Sequence, residues 1–164
     1  MVRIGLMSDT HSYLDDAVFK HFDACDEIWH AGDFGTLELA NKLSAFKPLR
    51  GVYGNIDGQD IRTVYPENNR FLCEGVDVWM IHIGGYPGNY TPKIRKEINE
   101  NPPKLFISGH SHILKVVFDK KLSCLHLNPG AAGKHGWHKV RTLIRFSITD
   151  KNIHDLEVIE LAVR

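Results

Sequence analysis

The chain is punctuated by short apolar runs of strand length, and most of them stop abruptly at a polar cluster. Residues 2–7 run into Ser8-Asp9-Thr10-His11-Ser12, and Ile28-Trp29 is followed by Gly32-Asp33. Residues 49–53 lead to Gly54-Asn55, residues 76–82 end on His82, and residues 105–108 precede Gly109-His110-Ser111-His112. A run of four to eight apolar residues bounded by turn formers reads as a buried strand. Between the first runs, Leu14, Val18, Phe19 and Phe22 recur at helical spacing, and residues 37–46 form a second amphipathic helix stopped near Pro48. Strand and helix therefore alternate through the first third, which argues for βαβ units and a parallel sheet.

After about Arg70 the pattern changes. Residues 70–74 and 76–82 flank Gly75, residues 116–118 and 122–127 flank Asp119-Lys120-Lys121, and residues 140–148 and 153–161 flank residues 149–152, giving three expected hairpins and an antiparallel second half. One helix is expected over residues 91–99. No linker, repeat or low-complexity run divides the 164 residues, so one α/β domain over residues 1–164 is expected, with two sheets packed face to face and helices outside.

Composition narrows the function. Twenty basic residues balance twenty acidic ones, so no global field draws the chain to nucleic acid or to an anionic membrane. No stretch approaches the roughly 20 apolar residues that span a bilayer, and residues 1–7 lead into a polar loop without a signal-type apolar region, which points to the cytoplasm. Cys25, Cys73 and Cys124 are odd in number and widely spaced, and read as buried thiols. Ten histidines are the anomaly, and four of them, His11, His82, His110 and His112, follow strand-like runs. The ends of parallel strands converge on one edge of a sheet, where α/β folds place their sites. Asp9, His11, Asp33, Asn55, His82, His110 and His112 thereby become neighbours, a set of oxygen and nitrogen donors with no thiolate that suits manganese, iron, nickel or zinc. In extended segments alternate residues point to one side, so Asp9 pairs with His11 and His110 with His112. Taken singly, each has an ordinary alternative: Asp9 in a helix-capping loop, Gly-Asp and Gly-Asn in turns, His82 bonded to backbone in the core. His21, His30, His126 and His154 read as structural or surface residues, Asp57 as a turn residue or one orienting a ligand, and Trp29, Trp79 and Trp137 as packing, with Trp137 alone placed in a loop where it can stack on an aromatic or nucleobase group.

In order along the chain, Asp9-Thr10-His11, Gly32-Asp33, Gly54-Asn55-Ile56-Asp57, Ile81-His82-Ile83-Gly84 and Gly109-His110-Ser111-His112, with Asn128-Pro129-Gly130 behind them, resemble the motifs of calcineurin-like metallophosphoesterases, especially the small bacterial and archaeal phosphodiesterase branch. The resemblance spans most of the chain. It implies a four-layer αββα sandwich of two mixed sheets flanked by helices. It also implies two divalent cations, manganese foremost, one held by Asp9, His11, Asp33 and His112 and the other by Asp33, Asn55, His82 and His110. Asp33 would bridge them, with Asp33, Asn55 and His82 closest to the chemistry, and an ionised water between the cations would attack a phosphodiester in line. The implied partner is a small phosphate ester; homo-oligomerisation is left open.

Two polar helpers common in that family are absent. A histidine often follows the Gly-Asn pair, where this chain has Ile56, and a His-Gly-His run is common where this chain has Ile83-Gly84-Gly85 after His82. Without a proton donor for the leaving oxygen, aryl phosphodiesters should be cleaved better than alkyl ones. Tyr86, Tyr90, His135 and His138 are candidates to take over that role. The small retromer subunit shares the implied fold but serves mainly protein contact, so an interaction scaffold is the rival reading; it predicts eroded ligands, whereas all seven positions here hold competent donors.

Overall fold

A computed structural model describes residues 1–163 of the chain. Two five-stranded sheets make the frame. The first has the order β12-β11-β1-β2-β3, with β1 Val2–Met7, β2 Glu27–His30, β3 Leu49–Gly51, β11 Val140–Thr149 and β12 Asn152–Val163. The second has the order β4-β5-β8-β10-β9, with β4 Asn68–Cys73, β5 Val76–Ile81, β8 Leu105–Ile107, β9 Lys115–Asp119 and β10 Cys124–Asn128. A short ribbon joins β6 Gly85–Tyr86 to β7 Asn89–Tyr90. The helices are α1 Ala17–His21, α2 Leu37–Phe46, α3 Gln59–Val64 and α4 Pro92–Glu100.

Strand alternation sorts the side chains into layers. In β5, Val78 and Met80 face inward and Trp79 and Ile81 outward; in β8, Leu105 and Ile107 face inward and Phe106 outward. The inward sets meet Ile4, Leu6, Trp29, Ile144, Phe146 and Ile148 of the first sheet in one buried layer. Outside the first sheet, Met7, Ile28 and Leu143 are covered by Val18 and Phe22 near α1, Leu39, Ala40 and Leu43 of α2, and Ile61 of α3. Outside the second, Trp79, Ile81 and Phe106 are covered by Ile94 and Ile98 of α4. The result is the expected αββα sandwich of two mixed sheets, in which each fully buried large apolar side chain contributes about 1.5–3 kcal/mol.

The expectation of an antiparallel second half is corrected. β5, β8 and β10 run parallel, and only the edge strands β4 and β9 are antiparallel to their neighbours. The third hairpin, β11–β12, joins the first sheet, with β11 antiparallel to β1. Hairpin signals fix only local pairing. β11 is buried on both faces along most of its length, which requires a central position in a covered sheet. The first helix begins at Ala17, after Leu14, and α3, β6 and β7 had no counterpart in the sequence reading.

Candidate metal centre

The five parallel strands β1, β2, β3, β5 and β8 deliver the seven expected residues to one edge of the sandwich. Asp9 and His11 follow β1, Asp33 follows β2, Asn55 follows β3, His82 follows β5, and His110 and His112 follow β8. The loops after β1 and β2 continue to pair beyond the sheet: Asp9 N donates to Gly32 O at 2.9 Å, His11 N to Asp33 O at 3.0 Å and Ser12 N to Phe34 O at 2.9 Å. Two compact donor groups result, Asp9 with His11 and His112, and Asp33 with His82 and His110. All seven residues stand at the junction of the two sheets.

His110 and His112 converge on the site for a different reason than strand alternation. Asp9, His11, Asp33, His110 and His112 all have left-handed backbone, with φ of 55°, 45°, 59°, 71° and 62°. Such conformations cost non-glycine residues about 1–2 kcal/mol each and persist only where the surroundings hold them. The strain turns His110 and His112 toward separate groups, His110 toward Asp33 and His112 toward Asp9.

The polar atoms inside the cluster oppose one another. Asp9 is fully buried; its Oδ2 accepts from Ser8 Oγ at 2.6 Å and from His110 N at 3.1 Å, while its Oδ1 makes no hydrogen bond. His82 donates from Nδ1 to Ala31 O at 2.7 Å, leaving Nε2 as a lone pair, buried and without a hydrogen bond. That nitrogen lies 3.1 Å from Asp33 Oδ2, and His11 Nε2, also buried and without a hydrogen bond, lies 3.3 Å from the same oxygen. His112 Nε2 is 3.2 Å from Asp9 Oδ1. Lone pairs facing lone pairs in a buried site are stable only with positive charge between them, whether protons or cations. With protons there, the Asp33 and Asp9 carboxylates lift the His11 imidazole to about 9. Burial works to lower the His82 value, yet Asp33 and Asp9 raise it on balance; both carboxylates are held well below the usual range by the same histidines despite burial. The donor set and the orphaned atoms fit divalent cations, with Asp33 Oδ2 facing both groups.

The shell behind these residues holds them in place. Asp57, only 3% exposed, accepts four backbone N–H groups: Asp33 at 3.0 Å, Phe34 at 3.2 Å and Gly54 at 2.8 Å on Oδ2, and Gly35 at 2.9 Å on Oδ1. It thereby ties the loop after β2 to the loop after β3. Gly54 has to be glycine for this closure, because a Cβ there would sit 2.0 Å from Asp33 Oδ1. His30 accepts Gly32 N on Nδ1 at 3.1 Å and contacts Thr10 Oγ1 through Nε2 at 3.1 Å; burial keeps it neutral, its value lowered to about 3. Asn128 donates to Gly109 O at 3.0 Å and to Ser111 Oγ at 3.1 Å, steadying the loop that carries His110 and His112. His30 thus fills the structural role its place in a strand predicts, and Asp57 the orienting one. His30's position two residues before Gly32, at the end of a strand, was the available signal for its part in the site.

Two clefts open from the cluster. One of about 600 Å³ is lined by Asn55 and His82 together with Tyr53, Arg62, Glu67 and Lys93. The other, of about 280 Å³, is lined by His11, Asp33, Asn55, His110 and His112 together with Ile56, His135 and Trp137. Of the four residues considered as replacement acids, Tyr90 donates to Asp119 Oδ2 at 2.6 Å and packs in the outer layer of the second sheet, and Tyr86 lies beneath Lys115. His135 stacks on His11 with ring centres 4.7 Å apart, and His138 donates to Gly133 O at 2.7 Å beside His112.

Fold and cluster together define the class: an αββα sandwich with carboxylate and imidazole donors gathered where its two sheets meet. The family model of the calcineurin-like phosphoesterase superfamily domain matches residues 2–151, and the chain belongs to that family. A protein of Methanothermobacter thermautotrophicus described as a probable metallophosphoesterase is 34% identical over 136 residues, covering 78% of this chain and 76% of that one. Among solved structures, one described as a novel archaeal phosphodiesterase aligns with a TM-score of 0.76 at 19% identity, over 97% of this chain and 99% of that one. Wild-type Vps29 of Entamoeba histolytica complexed with zinc aligns with a TM-score of 0.74 at 13% identity, over 98% of each. These likenesses at low identity establish the fold, and the family places the chain among metal-dependent phosphoester hydrolases. Among the described residues no helix is long and apolar enough to cross a membrane.

Proposed function

We propose that the chain is a metal-dependent phosphodiesterase of the cytoplasm, folded as a single domain and acting on a small phosphate ester rather than on nucleic acid or at a membrane. The observation that carries this reading is the buried meeting of Asp9 Oδ1 and Asp33 Oδ2 with the Nε2 atoms of His11, His82 and His112, an arrangement that calls for positive charge between them. One cation is assigned to Asp9, His11, Asp33 and His112, and a second to Asp33, Asn55, His82 and His110. Two divalent ions held there, manganese first and iron, nickel or zinc as alternatives, would supply Lewis-acid polarisation of phosphoryl oxygens and would acidify water.

The protein's own groups do the positioning. Asp33, its backbone pinned by Asp57 and its Oδ1 bonded by Ile56 N at 3.1 Å, presents Oδ2 to both groups in a fixed orientation. Asn55 Oδ1 lies 3.0 Å from His110 Nδ1, which ties the carboxamide, lining both clefts, to an imidazole that lines the smaller one. The Ala31 carbonyl fixes the His82 tautomer, with the basic Nε2 directed inward. Ile56 transfers no proton, so leaving oxygens that are stable as anions are favoured, and the rate on a series of aryl and alkyl diesters should fall steeply as leaving-group pKa rises. The direct test is hydrolysis of bis(p-nitrophenyl) phosphate with manganese, with and without chelator, in the native chain and in Asp33→Asn. Chelator-sensitive activity lost in the variant is expected; no activity with any of the four metals would leave the second reading.

That second reading is an interaction scaffold of the same fold. The edge strand β9 supports it, since Val116, Val117 and Phe118 lie 44%, 39% and 55% exposed on an open sheet edge.

A further inference from the structure

Trp137 is 99% exposed, while Trp29 and Trp79 are 0% and 3% exposed in the core layers. An indole ring left wholly in water forfeits the burial that normally repays its size, and it does so here at the rim of the smaller cleft. The loop that bears it is anchored on the candidate ligands themselves. His135 stacks on His11 with rings 26° from parallel, Gly136 approaches His112 so closely that a Cβ would lie 2.2 Å from Nδ1, and His138 bonds Gly133 O. Trp137 is thus held at the edge of the cleft that the candidate ligands line rather than displayed on an unrelated surface. Ile56, 46% exposed, lines the same cleft and adds an apolar face to it. The rest of that cleft is largely polar, lined by His11, Asp33, Asn55, His110 and His112.

We propose that Trp137 and Ile56 form an apolar jaw beside these polar groups that selects organophosphates bearing a planar aromatic group, an aryl or nucleobase substituent, with the phosphate seated on the donor cluster. The proposal rests on the phosphoesterase reading and adds the substrate class to it. A flat ring fits an indole on one side and a branched aliphatic on the other, and stacking tolerates many ring types because every aromatic has a π face. Trp137 acts in binding and touches no reacting atom, so its removal should appear in affinity and KM rather than in kcat.

The test compares adenosine 5′-monophosphate with ribose 5-phosphate, which share a phosphosugar and differ only in the base, by calorimetry on the full manganese-loaded chain. The nucleotide is expected to bind more tightly by between about fivefold and a hundredfold. Trp137→Ala should reduce that preference to within about twofold, Trp137→Phe should recover most of it, and Ile56→Ala should weaken it in the same direction by less. Equal binding of the two ligands to the native chain, or a preference that survives Trp137→Ala, overturns the jaw while leaving the phosphoesterase reading in place. Binding of neither ligand, together with no hydrolysis of bis(p-nitrophenyl) phosphate, overturns the phosphoesterase reading and the jaw with it.

Discussion

Asp57 shows how much of the site depends on a residue that never faces it. One buried carboxylate satisfies four N–H groups from two loops, and without it those donors would be left in a place that water reaches poorly. Asp57→Ala is expected to destabilise the chain by about 3 kcal/mol or more, and Asp57→Asn by less, as read from urea unfolding. His126 gives a second residue-scale expectation. It is buried on the outer face of β10 with Nδ1 donating to Phe106 O at 3.2 Å, and burial pushes its value down from 6.5 to about 4. The unfolded chain therefore binds more protons between those values, and stability falls as pH falls through the window, by up to about 1.4 kcal/mol per pH unit. Urea titrations of metal-free protein should show a shallower slope for His126→Gln between pH 6.5 and 4. Asp9, His11, Asp33, Asn55, His82, His110 and His112 were legible because each closes an apolar run. Asp57 was legible only as a turn former, since nothing in a sequence reveals how many amides a carboxylate will collect.

Among the elements, α2 was readable to its ends because its apolar face and the Pro48 stop agree, and the structure adds a Thr36 cap. Thr36 Oγ1 accepts Leu39 N at 3.2 Å, satisfying one of the free amides of the first turn. Thr36→Ala should lower stability by about 1 kcal/mol and leave manganese uptake unchanged, checked by chemical unfolding and metal analysis on the same preparation. The short elements were not readable. α3 spans six residues with only Ile61 buried, and β6 and β7 have two residues each, too few for any period to register. Their conformation is imposed from outside, as where Arg62 of α3 donates from Nε to Asp57 O at 2.7 Å. The backbone of the ligand loops was likewise out of reach. Left-handed φ at five of the seven candidate ligands comes from pairing between loops such as His11 with Asp33, which is tertiary information.

At the scale of the whole molecule, the layer between the sheets draws on β1, β2, β5, β8, β10 and β11 together, so neither sheet keeps its inner face covered alone. Unfolding followed by tryptophan emission and by far-ultraviolet circular dichroism should give coincident, single transitions; two separated midpoints would argue against one domain. The C-terminal hairpin was recognisable as a hairpin but not as a neighbour of β1, because that choice depends on which sheet can bury both faces of β11. The same closure of the sandwich brings strand ends from both sheets to one line, and on it the account of the metal centre stands. Its most direct measurement is the metal content of purified chain after loading with manganese and exhaustive dialysis, compared with Asp33→Asn. Two ions per chain, falling to one or none when the shared carboxylate is lost, is the predicted result. A native chain that retains no manganese, iron, nickel or zinc would contradict it.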